Sequence, residues 1–232
     1  MGNKLIRQLE QNLPAEIAIP HEMKMLYQWI EDHNLFIDTD THRIGFLYPD
    51  DELKANWTDT KRDGGTCVEF CASLNESAPC WFGFNNLNDQ NHQEKIKEIQ
   101  QRLYIFGQTG AEGSQCAFWL NDKAELKIVH MGSGSGSILC CVLAENALDF
   151  LRLLAIGYDE ICWDEEFPYP PNIYNPIFFV SPNIAFQDWV KTTFNTGIPK
   201  IALEIVKRPT RMGDEPSQDE FYNWCNQYTN WY

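Results

Sequence analysis

The stretch from Ile105 to Trp163 constrains the fold more than any other part of the chain. It holds, with the two residues before it, four short runs with strand character, Leu103 to Phe106, Gln115 to Leu120, Leu126 to Met131 and Ile138 to Leu143, with turns between them. Short turns between successive strands favour an antiparallel meander. The last run leads into a strongly amphipathic segment, Ala144 to Ile156. There Ala147, Leu148, Leu151, Leu154 and Ala155 share one helical face, and Gly157 stands where a helix C-cap is needed. Strands first, one helix packed on them next: the pattern predicts an α+β fold, a mainly antiparallel sheet flanked by helices.

The remainder adds helices at both ends. Lys4 to Asn12 is a helix candidate, and Pro20 precedes a second one in which Met23, Leu26, Tyr27 and Ile30 recur at helical spacing. Leu35 to Ile37 and Ile44 to Tyr48 read as paired strands around a turn at Asp38 to His42. Pro49 to Gly65 reads as a loop, and Thr66 to Phe70 and Cys80 to Phe84 as short strands. Asn88 to Gln101 is a polar helix whose apolar face is only Ile96 and Ile99. After the meander comes a proline-rich connection, Asp159 to Pro182, then three helices at Asn183 to Phe194, Lys200 to Lys207 and Glu215 to Tyr228. These pieces are expected to form one domain over 1–232: a divergent part at 1–100, the core at 101–163, and the connection with its helices at 164–232.

Candidate chemistry is sparse. Gly132 to Ser137 alternates glycine and serine, but the residues after it are apolar and strand-like, and no Gly-Lys-Ser/Thr follows. A hairpin turn accounts for it better than a phosphate loop. Gly107, Gly110 and Gly113 suit a tight loop. Cys67, Cys71 and Cys80, with His92 beyond them, lack the paired C-x-x-C spacing of a zinc site and read as structural thiols. The eight cysteines read as reduced, several of them inside apolar runs. The five histidines share no ligand or catalytic spacing, and His130, beside a glycine turn, is the one to test for a pocket. No nucleophile elbow is present. The expectation is therefore no catalytic residue, no metal and no cofactor.

Charge points elsewhere. Eighteen Lys and Arg against 33 Asp and Glu give a formal net charge of −15. Such a field repels phosphate backbones and anionic membranes and attracts a basic protein, although acidity also serves plain solubility. The densest cluster is Asp159, Glu160, Asp164, Glu165 and Glu166, interleaved with Tyr158, Trp163 and Phe167. It reads three ways: a solvated acidic rim, a glycosidase-type carboxylate pair, or a recognition face with aromatic anchors and steering charges. No apolar run is long enough to span a bilayer, and the N-terminus has no apolar signal core, so a cytoplasmic location is expected.

The same segment carries a family resemblance. Phe106-Gly107 with its glycine loop, Gln115 to Trp119, and Ile128 to Ser133 are similar to successive strand ends of the SUKH superfamily, the Smi/Knr-like group. Ala147 to Glu160 (ALDFLRLLAIGYDE) resembles that family's aDFLrLLAlGYdei helix nearly residue for residue, and Asn183 to Val190 is similar to its following helix. The resemblance covers roughly 60 residues well and the C-terminal third loosely. It implies a Smi/Knr-like fold without catalytic residues. It also implies a cytoplasmic immunity protein that occludes a toxin domain, here a basic, nuclease-like one. On that reading, Tyr158, Asp159, Glu160, Trp163, Asp164, Glu165, Glu166 and Phe167 form the protein-binding site. The rival readings are a small hydrolase or ligand-binding enzyme using His130 with acidic partners, and a regulatory scaffold like the fungal relatives.

Overall fold

A computed structural model of the chain describes residues 2–48, 57–63, 66–73 and 77–229. In chain order its elements are α1 (Lys4–Asn12), α2 (His21–Asp32), β1 (Phe36–Asp38), β2 (Arg43–Gly45), β3 (Lys61–Asp63), β4 (Glu69–Phe70), α3 (Ser77–Trp81) and α4 (Gln93–Arg102). There follow β5 (Leu103–Gln108), β6 (Gln115–Leu120), β7 (Leu126–Met131), β8 (Cys140–Ala144), α5 (Ala147–Ile156), β9 (Phe179–Ser181), α6 (Ile184–Phe194), a 3-10 turn at Ala202–Glu204, and α7 (Glu220–Cys225).

Strands β5 to β8 are apolar at nearly every position, and a strand so composed must be covered on both faces. That is what the sheet shows. Seven strands in the order β1-β2-β4-β5-β6-β7-β8 pair antiparallel throughout. On one face Tyr104, Phe106, Phe118, Ile128, Cys141 and Leu143 pack against α1, α2, α5 and α6. Phe106 stacks on Phe118 with ring centroids 4.2 Å apart and meets Phe150 of α5 edge-on at 5.7 Å. On the other face Ile105, Ala117, Trp119, Val129 and Val142 pack against α3, α4 and α7, with Trp119 against Phe221 and Trp224. The α+β expectation therefore holds, with an antiparallel sheet flanked by helices on both sides.

Each helix end has an identifiable cause. Asn146 caps α5 by accepting from the Asp149 amide, and Gly157 closes it at φ 97°, a conformation open to glycine but strained for other residues. Asn183 caps α6 and Asp219 caps α7 in the same way. Outer strand β8 is not left open. Cys140 donates to Thr210, Met212 donates to Ile138, and the Val142 amide donates to the Asp219 carboxylate at 3.0 Å. The segment around residues 208–219 thus covers an edge that would otherwise invite another strand.

Four local expectations are corrected. Cys80 to Phe84 is not a strand: Ser77–Trp81 is a helical turn. Its end is a Schellman closure in which Phe84 donates to Pro79 and Gly83 to Cys80, with Gly83 at φ 84°. The stretch taken as a loop, Pro49 to Gly65, contains β3, which pairs parallel with β9 in a separate two-stranded sheet; 49–56 and 64–65 of that stretch lie outside the described residues. The helix expected at Lys200 to Lys207 shrinks to the 3-10 turn, held at its start by Glu204 accepting from Lys200. The helix expected at Glu215 to Tyr228 is confined to α7, because its cap is Asp219. No helix among the described residues is long and apolar enough to cross a membrane.

Candidate functional site

The eight residues expected to form a binding face follow the C-cap of α5, where Gly157 turns the chain out of the helix. The structure separates them by what they touch. Tyr158 and Phe167, expected as exposed aromatic anchors, are 1% and 0% exposed and belong to the core. The Tyr158 hydroxyl donates to the Tyr169 carbonyl at 2.7 Å and accepts from the Ala202 amide at 2.9 Å, tying the proline-rich connection to the 3-10 turn. Desolvation pushes this phenol up to about 12. Both residues are corrected from surface anchors to internal struts.

Most of the acids are also internally occupied. Glu160 is buried, accepting from the Ala111 amide at 2.8 Å and from the Trp163 indole at 2.7 Å, so it fixes the β5–β6 loop and the Trp163 ring together. Asp159 pairs with Arg62 of β3 at 2.7 Å and accepts from the Cys67 thiol. Burial raises its pKa against the opposing pull of Arg62. Asp164 and Glu165 hold Arg211 at 3.0 and 2.5 Å. That brace anchors the segment covering β8.

Glu166 is different. Among the described residues no hydrogen bond or ion pair reaches its carboxylate, although the residue is only part exposed. Loss of solvent raises its pKa, and the like charges of Asp159, Glu160 and Glu165 raise it further. It lines a cavity of about 170 Å³ together with Tyr158, Asp159, Trp163, Tyr174, Phe178 and the Pro170-Pro171 pair. Beside it lies a second cavity of about 150 Å³ lined by Trp57, Arg62, Cys67, Gln108 and Glu160. Arg62 stands next to both, its guanidinium 4.2 Å from the Trp57 ring centre and 5.0 Å from that of Phe178.

Around the first cavity the proline-rich connection exposes apolar side chains that the sequence reading left unremarked. Ile177 is 78% exposed, Ile173 60%, Tyr174 53% and Phe179 48%, with Tyr169 stacked on Tyr174 at 5.9 Å. A readable signal was available: Pro168, Pro170, Pro171 and Pro176 keep residues 168–178 out of helix and sheet, so Tyr169, Ile173, Tyr174 and Ile177 have no sheet or helix face to be buried by.

His130, the candidate for an enzymatic reading, is fully buried in β7. Its Nδ1 lies 2.8 Å from the Leu139 carbonyl, which can only accept, so Nδ1 carries the proton and Nε2 accepts from the Thr109 hydroxyl at 3.0 Å. Desolvation lowers its pKa to about 4. Both ring nitrogens are engaged inside the core, and His130 lines none of the cavities described above. Among the described residues Cys67, Cys71, Cys80 and His92 do not converge into a ligand set of three or more. The eight cysteines are free thiols, and Cys80 alone of them is exposed. No family model, curated protein or solved structure matches this chain.

Proposed function

We propose that this chain is a non-catalytic immunity-type protein that binds a basic, nuclease-like toxin domain and blocks it by occlusion. One observation carries the reading: a contiguous stretch of exposed aromatic and aliphatic side chains, Tyr169 to Phe179, borders a Glu166 carboxylate that no described residue neutralises, on a chain of net charge −15. Exposed apolar side chains grouped beside charge mark recognition surfaces, with rings as anchors and the charge steering approach. The face first expected at Tyr158 to Phe167 is thereby moved outward. Trp163, Glu165 and Glu166 remain on it, while Tyr158, Asp159, Glu160, Asp164 and Phe167 support it from behind. The resemblance of Ala147–Glu160 to the Smi/Knr-like helix agrees with this assignment, since that helix delivers the chain to this face.

The test is a calorimetric titration of this chain with the product of the gene adjacent to its own, at low and high salt. Tight binding that weakens with salt, and that falls when Ile173, Tyr174 and Ile177 are replaced together by serine, supports the reading. Binding indifferent to those substitutions would place the partner elsewhere. A neighbour that binds but is not toxic would identify a regulatory scaffold instead.

A further inference from the structure

We propose that the cavity bounded by Trp163, Glu166, Tyr174 and Phe178 receives an arginine side chain presented by the protein partner. The inference rests on the binding reading above and names the chemistry of its central contact. The cavity is roomy enough for several waters and therefore for a guanidinium group with its last methylenes. Its lining contains two carboxylates, Asp159 and Glu166, and four aromatic residues, but no Lys, Arg or His among the described residues. Asp159 is already satisfied by Arg62, whereas Glu166 is not. A half-desolvated carboxylate surrounded by like charges lacks a cation, and a cation brought there relieves both penalties.

The adjoining site shows what this chain does with such chemistry. Arg62 lies between the Trp57 and Phe178 rings while its Nη1 pairs with Asp159. A guanidinium between aromatic faces with a carboxylate at its edge is thus already built once, from the chain's own residues, and Phe178 and Asp159 are shared with the empty cavity. The empty cavity repeats the plan with Trp163, Tyr174 and Glu166 and leaves out the arginine. Planarity favours arginine over lysine here, because a flat delocalised cation stacks on rings while its edge meets a carboxylate. The Trp163 ring is fixed for this task by its bond to Glu160, so little is lost in ordering it. The surrounding Tyr169, Ile173 and Ile177 would be covered only by a protein surface, which separates a partner's arginine from a free amino acid or polyamine.

The test follows the Trp163 indole N–H resonance of the full chain during titration with three capped tripeptides, Gly-Arg-Gly, Gly-Lys-Gly and Gly-citrulline-Gly. The expected result is a saturable shift with the arginine peptide, about tenfold weaker with lysine and weaker still with neutral citrulline. Glu166→Gln should weaken the arginine peptide by about tenfold, and Tyr174→Ala should weaken it independently. Among the described residues no hydrogen bond or ion pair reaches the Glu166 carboxylate, and the backbone bonds of Glu166 to Trp163 and Tyr169 are untouched by the substitution, so the variant is expected to fold and the comparison stays valid. Equal binding of arginine and citrulline, equal binding of arginine and lysine, shifts confined to other residues, or no shift at all would each overturn the proposal. Binding of the neighbouring gene product without peptide binding would remove only the arginine pocket. Peptide binding without a toxic neighbour would remove only the immunity reading.

Discussion

His130 offers a prediction whose size can be worked from its surroundings. Complete burial lowers its pKa from 6.5 to about 4, so between those values the unfolded chain takes up a proton that the folded chain refuses. Stability contributed by the neutral imidazole is present above pH 6.5 and is lost as pH falls toward 4. By linkage the loss is about 2–3 kcal/mol on going from about pH 7.5 to about pH 4.5. The wild-type curve alone will not show it, because Asp219 titrates in the opposite sense over an overlapping range. The comparison to make is therefore wild type against His130→Asn, in which the contribution of Asp219 is common to both. Asparagine keeps a donor for Leu139 but leaves the Thr109 hydroxyl without its acceptor and part of the ring volume empty, costing about 2–4 kcal/mol near pH 7.5. Urea unfolding at a series of pH values should show that gap closing by about 2–3 kcal/mol by about pH 4.5. A gap constant across the series would mean that His130 is solvated in the fold, and a gap that widens as pH falls would mean that it is charged there; either result would overturn the buried, neutral assignment.

Other outcomes follow from single features. Burial raises Asp219 from 3.8 to about 6 despite its bonds from the Tyr222 and Val142 amides. A raised carboxyl contributes stability below 3.8 that is lost as pH rises through 6, a change of about 3 kcal/mol, and Asp219→Asn should flatten that slope in the same urea series. Phe150→Ala removes the ring that meets Phe106 under α5 and should cost about 3–5 kcal/mol by thermal or chemical unfolding. Gly157→Ala forces a side chain into φ 97° and should destabilise by about 1–2 kcal/mol. A thiol reagent should label Cys80 rapidly in the native protein and reach buried Cys116, Cys140, Cys141, Cys162 and Cys225 only on unfolding; rapid native labelling of several thiols would contradict the packing.

Much of the sheet was legible because its physics is local. Continuous apolar runs broken by glycine turns specify β5 to β8, and the spacing of Leu151, Leu154 and Ala155 with Gly157 specifies α5. What escaped depends on partners far away in the chain. Strand β3 has no pattern of its own and exists because Lys61–Asp63 meets Phe179–Ser181 in parallel, from the other half of the sequence. At Cys80 to Phe84 a short apolar run suggested a strand, while Pro79 in the first turn and Gly83 at positive φ were the stronger signals. The candidate site was half legible. Composition located the acidic, aromatic stretch, but beyond Gly157 no periodicity tells inward from outward. Tyr158 and Phe167 therefore stood equal to Trp163 in the sequence although the fold buries both. Nor could charge show that Arg62 and Arg211, each remote in sequence, would occupy Asp159, Asp164 and Glu165 and leave Glu166 alone.

The central claim is that the face around Glu166 and the Tyr169–Phe179 segment binds and blocks a basic toxic protein. Growth of cells expressing the adjacent gene's product tests it most directly, with this chain supplied as wild type, as Glu166→Gln combined with Tyr174→Ala, or as a control substituted at Glu94 on the opposite layer. Growth is expected to be restored by the wild type and by the control, and lost with the double variant. Failure of the wild type to restore growth, or restoration by all three forms, would contradict that claim.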